Sequence, residues 1–404
     1  MRVWIVNYYT GTPESVSNPR YIQLASHFKK AGHDVITLNA SHNNNFKGVF
    51  DEKKYGEYQF VHVKVPQYKE SKLKRMFSMW LFAWRIYRHC EQLARPDIIL
   101  HNIHPPFDYP VVWAANKIKC KYVTEAWDVW PDVYVHKGLA SARNPIVMLG
   151  YWAEKHLYYR ANELIFTFKG CHDYMKIHKL AQGYGGKVDL NHVHYNNNGV
   201  DIEQFDKDVK SYPRPDKDIN ESGIYKIIYM GSIRQPNGVK SLIDAAKLLR
   251  DNPKYRFFIY GDGTDREMLE KYVDDNQIIN VVFKEKRIPL CEVAWVVSQA
   301  TVNIMNYAKG FGYMGVSSGK LFQYLAAGKP IVCNIDIAYD DVITDNKIGI
   351  AKDIDTPEEY VNAIKQLAEQ SPEDYETMCQ RARKVGEQFD YQIIAAREMK
   401  ILNL

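Results

Sequence analysis

The chain has 404 residues, 46% hydrophobic and 25% charged, with a formal net charge of +5. That length suits about two domains with full-sized cores. So mild a positive balance leaves no electrostatic footprint for nucleic acid, and it tolerates an anionic small molecule or membrane surface. Six scattered cysteines without a CxxC spacing argue against a disulfide frame or a zinc site and read as reduced thiols in a cytoplasmic protein.

The opening MRVWIVNYYTG is too short an apolar run for a signal peptide and reads as a strand. SNPRYIQLASHFKKAGHDV reads as a helix closed by Ala-Gly, followed by the strand DVITLNA. Next come the strand PDIILHN, the helix YPVVWAANKIK and the strands KYVTEAW and NELIFTF. The stretch from HYNNNGVDIEQF to SYPRPDKDINESG is polar and rich in turn residues, and reads as a linker. The alternation then restarts with YKIIYMG, VKSLIDAAKLLRDN, YRFFIYGDG and DREMLEKYVDDN, and the strands NVVFK, TVNIMNY and PIVCNI follow. Strands alternating with helices predict parallel sheets with right-handed crossovers. The expected architecture is α/β, two Rossmann-like domains facing a cleft, at 1–205 and 206–385. A final helix over 386–404 is expected to cross back to the first domain. No apolar run reaches the roughly 18 residues of a membrane span.

Open α/β sheets bind ligands beyond the carboxyl ends of their strands, and four segments fall at such places. In GVSSGKLFQYLAAGKP, Ser317, Ser318 and Gly319 open a helix whose first-turn N–H groups and dipole suit a phosphate, and Lys320 adds a positive charge. Ordinary serine capping explains the same letters. In YMGSIRQPNGVKSLIDAA, Gly231 ends a strand, and Arg234 and Lys240 offer cations to a pyrophosphate. The Gly-Asp-Gly of residues 261–263 suits a ligand or simply a tight turn. In TEAWDVWPDVY, Glu125 and Asp128 end a strand in an aromatic setting and are candidates for general-base or acceptor-positioning work, with turn capping as the alternative. His101 and His104 end the preceding strand. Neither has a metal-ligand spacing, so no metal is expected.

In order and spacing these segments resemble the retaining glycosyltransferases of family 4, GT-B enzymes, especially members that build bacterial surface polysaccharides such as capsule. The resemblance runs over most of the chain. Asn198, Gly199, Val200, Asp201 and Phe205 resemble the family's Asn-Gly-Val-Asp segment at the domain junction. VSSGKLFQYLAAGKPIV resembles its donor-phosphate helix, and Glu125 and Asp128 resemble the acids of an acceptor-side Glu-x-x-Asp-x-Trp-Pro loop.

The resemblance implies a nucleotide-sugar donor, UDP-linked, with its diphosphate against Ser317, Ser318, Gly319 and Lys320. Arg234 and Lys320 would stabilise the departing diphosphate without a metal or cofactor. Gly231 and Ser232 would line the donor loop, Lys286 would lie near the base, and Gln323 near the ribose. The acceptor would be a saccharide or a polyprenyl-linked one, and the protein would sit in the cytoplasm or peripherally on the inner face of the membrane. The chain departs from the family's pattern at the paired glutamates, which fall on Gly315 and Gln323. It departs again at the loop's arginine and lysine, which fall on Ser232 and Asn237; Arg234 is the candidate replacement. Two rival readings share the fold: a sugar-nucleotide epimerase, and a non-catalytic nucleotide-binding subunit at a membrane.

Residues 69–94 add a separate feature. Leu73, Met76, Phe77, Trp80, Leu81, Trp84 and Tyr87 make one apolar stripe flanked by Lys69, Lys72, Lys74, Arg75, Arg85 and Arg88. A core helix with a solvated basic edge gives this pattern, and so does an interfacial helix on an anionic membrane.

Overall fold

The structure is a computed structural model that describes all residues except 14–18, 44, 69–70, 137, 139, 309–313 and 340. Ser17 and Asn18, at the head of the first expected helix, and Lys69 lie outside the described residues. The chain divides into two compact units: residues 1–197 with 391–404, and residues 198–390. The division therefore falls ahead of the 205–206 boundary expected from sequence.

The first unit contains β1 (Arg2–Val6), α1 (Arg20–Lys30), β2 (Asp34–Ser41), β3 (Phe50–Tyr55), β4 (Tyr58–Lys64), α2 (Lys72–His89) and β5 (Ile98–Asn102). It continues with α3 (Pro110–Ile118), β6 (Lys121–Ala126), α4 (Asp132–His136), α5 (Pro145–Tyr158), β7 (Glu163–Phe166), α6 (Cys171–Ile177) and β8 (Val193–Tyr195). Its eight-stranded sheet has the order β3-β4-β2-β1-β5-β6-β7-β8. All neighbours are parallel except β3 and β4, which form a hairpin closed by Tyr55 opposite Tyr58. The central strands are buried on both faces, as parallel strands covered by helices must be, so they read as continuous apolar runs.

The second unit contains α7 (Ile202–Ser211), β9 (Tyr225–Met230), α8 (Val239–Leu248), β10 (Tyr255–Tyr260), α9 (Arg266–Asp275), β11 (Val281–Phe283) and α10 (Leu290–Ser298). Then come β12 (Val302–Met305), α11 (Gly319–Ala326), β13 (Ile331–Cys333), α12 (Val342–Asp345), β14 (Gly349–Ala351), α13 (Pro357–Ala368) and α14 (Pro372–Glu387). The six strands are all parallel in the order β11-β10-β9-β12-β13-β14. The order reverses beside β9, between β10 and β12, and that switch point is where such sheets hold ligands.

Two expectations need correction. The stretch read wholly as a linker contains α7: Asp201 caps it by accepting from the Gln204 amide, and Phe205 is its buried anchor. On α2 the stripe seen in the sequence is not the core face. Ser78, Met79, Phe82, Ala83 and Ile86 are buried, while Leu73, Phe77 and Trp80 are exposed. The last helix, α15 (Tyr391–Leu402), belongs to the first unit, where Tyr391, Ile394 and Ala395 pack with Val3, Leu24 and Phe28.

Candidate functional site

In the second unit the C-terminal ends of β9 and β12 and the start of α11 converge on one side chain, Lys320. The helix is placed by Tyr324, whose hydroxyl donates to the carbonyl of Ile304 in β12 at 3.3 Å and lies 3.2 Å from the amide of Met230, the last residue of β9. The residues before it are held by Asn198, which donates through Nδ2 to the carbonyl and hydroxyl of Ser317 at 3.0 and 2.9 Å. Ser318 stands at the N-cap with extended backbone and makes no side-chain capping bond. The first turn of α11, beginning at Gly319, therefore presents N–H groups to an outside acceptor.

Lys320 is half-buried, but its Nζ is fully enclosed and has no hydrogen-bond partner among the described residues. It lies over the rings of Tyr229 and Tyr307, 4.6 and 5.5 Å from their centroids. Burial pushes its pKa down to about 8. A Cβ on Gly231 would meet this Nζ at 2.8 Å, so the glycine makes room for the ammonium. The Tyr307 backbone is clamped in turn by Asn334, which accepts from its amide at 2.8 Å and donates to its carbonyl at 2.9 Å. An ammonium desolvated without a counter-charge is costly. Here it stands beside the open first turn of a helix, and both features suit an anion.

The neighbouring loops fill in the site. Ser232 is exposed, and its carbonyl accepts from the Tyr229 hydroxyl at 2.7 Å. Arg234 is exposed at the start of a short 3₁₀ turn that Asn306 fixes by donating to the carbonyls of Asn237 and Gly238. Lys240 is diverted to Asp244, 2.7 Å away. Gly261 and Gly263 serve packing: a Cβ on either would strike the carbonyl of Gly231 or Ile233. Gln323 is half-buried on α11, one turn past its start, and Lys286 is exposed beyond β11.

In the first unit the structure separates the two acids. Asp128 is exposed in the loop after β6. Glu125 is fully buried and already occupied, which corrects its reading as a catalytic group. Its Oε1 accepts from Arg20 Nε at 2.7 Å, and its Oε2 accepts from the Tyr21 hydroxyl and, at 3.0 Å, from the Trp127 indole. Arg20 also donates to the carbonyls of Asn197 and Asn196 and pairs with Glu398 of α15 at 3.2 Å. Glu125 is thus a brace tying α1, β6 and α15. His101 and His104 are likewise engaged: His101 lies 2.8 Å from the Tyr122 hydroxyl, and burial pushes His104 down to about 4.

Sequence reasoning missed Asn198, Asn306, Asn334 and Tyr307 as supports of the Lys320 site. The only local signal was an asparagine at or just after a strand end.

Comparison with known proteins bears on the same unit. Residues 214–385 match the family model Glycosyl transferases group 1, so this region is a domain of that group. No curated protein matches the chain in sequence. Over the whole chain the fold is that of GT-B glycosyltransferases. It is similar to sucrose-phosphate synthase from Thermosynechococcus elongatus, at TM-score 0.75 and 15% identity, covering 100% of this chain and 98% of that one. It is similar to Anabaena HepE in complex with UDP, at TM-score 0.69 and 13% identity, covering 100% of both chains. WaaG, described as a glycosyltransferase involved in lipopolysaccharide biosynthesis, matches at TM-score 0.69 and 16% identity, covering 99% of each chain.

Proposed function

We propose that this chain is a retaining, metal-independent glycosyltransferase of family 4. It moves a hexosyl group from a nucleotide-sugar, UDP-linked, to a saccharide or lipid-linked acceptor in surface polysaccharide assembly. The observation that carries the reading is the enclosed Lys320 ammonium at the first turn of α11, beside Gly231, with no hydrogen-bond partner among the described residues. The group 1 match over the unit that holds it, and a UDP complex among similar folds, support the choice of donor.

In this reading the diphosphate lies on the N–H groups of the first turn of α11 and on Lys320. The bond between the sugar's anomeric carbon and the phosphate oxygen breaks while the acceptor hydroxyl attacks from the same face. The acceptor's proton passes to the departing phosphate oxygen. Charge grows on the diphosphate as that bond breaks, and Lys320, already desolvated, stabilises it more than it stabilises the ground state. Arg234 supplies a second cation from the exposed loop after β9. Gln323 hydrogen-bonds the ribose in place of an acid. The loop containing Lys286 borders the base, and Asp128 positions the acceptor. No enzymatic nucleophile takes part. The protein works at the inner face of the membrane, with α2 in contact with it.

Calorimetric titration with UDP, GDP and ADP in metal-free buffer tests the donor site. Selective UDP binding, lost in Lys320→Ala and weakened in Arg234→Ala, is the expected result. No binding by any nucleotide overturns the site. UDP binding without turnover of any UDP-sugar, acceptor present, favours the non-catalytic reading that Gly315 and Gln323 raise.

A further inference from the structure

Among the described residues no helix is long and apolar enough to cross a membrane. The first unit nevertheless exposes a contiguous apolar face built by three helices. On α2, Leu73, Phe77 and Trp80 are 74%, 54% and 39% exposed. On α5, Ile146, Met148, Leu149 and Trp152 are each more than half exposed, and Trp113 of α3 lies between the two helices at 40%. Single exposed apolar residues need no explanation, but a patch does.

The rings of this face form one connected series. Trp80 stacks on Trp84 at 5.5 Å, Trp84 meets Trp113 at 6.4 Å, and Tyr109 bridges Trp113 and Trp152 at 5.6 and 5.7 Å. Between the helices they leave a groove of about 430 Å³ with almost wholly apolar walls, among them Phe77, Phe107 and Leu149. The charges around it are mostly basic. Helix α2 carries Lys72, Lys74, Arg75, Arg85 and Arg88 and no acid, while Lys117 of α3 is paired with Glu91 at 2.6 Å. The single acid of α5, Glu154, is buried.

We infer that the outer faces of α2, α3 and α5 together seat this protein on an anionic bilayer. The tryptophans and tyrosines lie at headgroup level, and the groove takes an acyl chain of the surface. Aromatic belts and snorkelling basic side chains suit that boundary. Each Lys or Arg near an anionic surface adds to the attraction, and salt screens it. A second copy is the poorer occupant, because a two-fold contact through this face sets one copy's basic residues against the other's. The surface widens the membrane contact of the proposed function from one helix to three, and rests on that reading for its biological sense alone. Vesicle binding is measured without nucleotide or acceptor, so its failure and the failure of the transfer reaction are separate results.

The test is co-sedimentation of the full chain with vesicles of phosphatidylcholine alone and of equimolar phosphatidylcholine and phosphatidylglycerol. We expect binding to the anionic vesicles, weakened by high salt. The double variant Leu149→Ser/Trp152→Ser on α5 should lower the vesicle affinity by about tenfold or more with an unchanged unfolding temperature. Ile279→Ser, an exposed apolar site of the second unit, should leave it unchanged. A folded wild-type chain that ignores anionic vesicles overturns the inference. So does an α5 double variant that binds as wild type, or a stable dimer that this variant dissociates.

Discussion

The Lys320 ammonium lies 2.8 Å from the point where a side chain on Gly231 would begin. Two residues far apart in the chain thus share one space, and the lysine fills it without a hydrogen-bond partner among the described residues. A methyl group at 231 meets the Lys320 ammonium and, at 3.3 Å, the Tyr229 hydroxyl, on a backbone of φ +155° that favours glycine. Gly231→Ala is therefore expected to weaken UDP binding by about tenfold, the loss of one well-placed charge contact. The unfolding temperature should fall as well, because the new side chain strains the backbone at this positive φ. Titration calorimetry alongside thermal unfolding checks both. Undiminished affinity would mean that the ammonium need not stand where it does.

Lys320 should be a liability to the empty protein. Its pKa of about 8 lies below the ordinary lysine value, which makes the charged form unfavourable in the folded state. Lys320→Met keeps the length of the side chain and removes the charge. The free protein is expected to gain stability at neutral pH, on the order of 1–3 kcal/mol. The stabilisation that UDP confers on the wild type should vanish. Denaturant unfolding with and without UDP reads both effects, and a less stable variant would show that the ammonium has a counter-charge after all.

The alternation of strands and helices was legible because parallel strands covered on both faces read as apolar runs, as in residues 98–102 and 255–260. The hairpin of β3 and β4 was not, because β3 reads FDEKKY and buries none of its residues. Helix α7 hid in a polar stretch because Phe205 is its one buried side chain. Serines and a lysine at the mouth of α11 marked the site. The burial of Lys320 was invisible, because it depends on Gly231 and Tyr307 arriving from other strand ends. Glu125 was misread for the same reason: Arg20 and Glu398, the groups around it, lie at opposite ends of the chain. A lone arginine among Tyr21, Ile22 and Leu24 was the available hint.

Affinity for the nucleotide should depend on pH in the alkaline range. A bound diphosphate prefers the charged form of Lys320, so binding drives proton uptake wherever the free protein's lysine is neutral. The free pKa of about 8 sets the window. UDP affinity is expected to be level below pH 7 and to fall as pH rises through 8, by up to tenfold per pH unit. Titrations at pH 8.5 or so in buffers of different ionisation enthalpy should report proton uptake. In Lys320→Met the slope should be absent. A wild-type affinity that stays flat from neutral to alkaline pH would place the diphosphate elsewhere.

The brace around Arg20 sets one guanidinium against two carboxylates, all three buried. Burial first, and then the charge of Glu125, raises Glu398 to about 7, while Arg20 and Asn196 pull it down. A carboxyl raised on folding contributes stability that is complete below its unfolded pKa, near 4.5, and is lost as pH rises through about 7. Glu398→Gln mimics the protonated form. It is expected to match wild-type stability at about pH 4.5 and below, to exceed it increasingly as pH rises to about 7, and to keep that margin above it. Glu125→Gln removes the carboxylate that accepts from Arg20 Nε, Tyr21 and Trp127. It should cost about 3–5 kcal/mol, the penalty of breaking a buried pair. Denaturant unfolding across that pH range measures both. Equal losses in the two variants would show that Glu398 carries a full charge at neutral pH and that the brace holds two ion pairs instead of one.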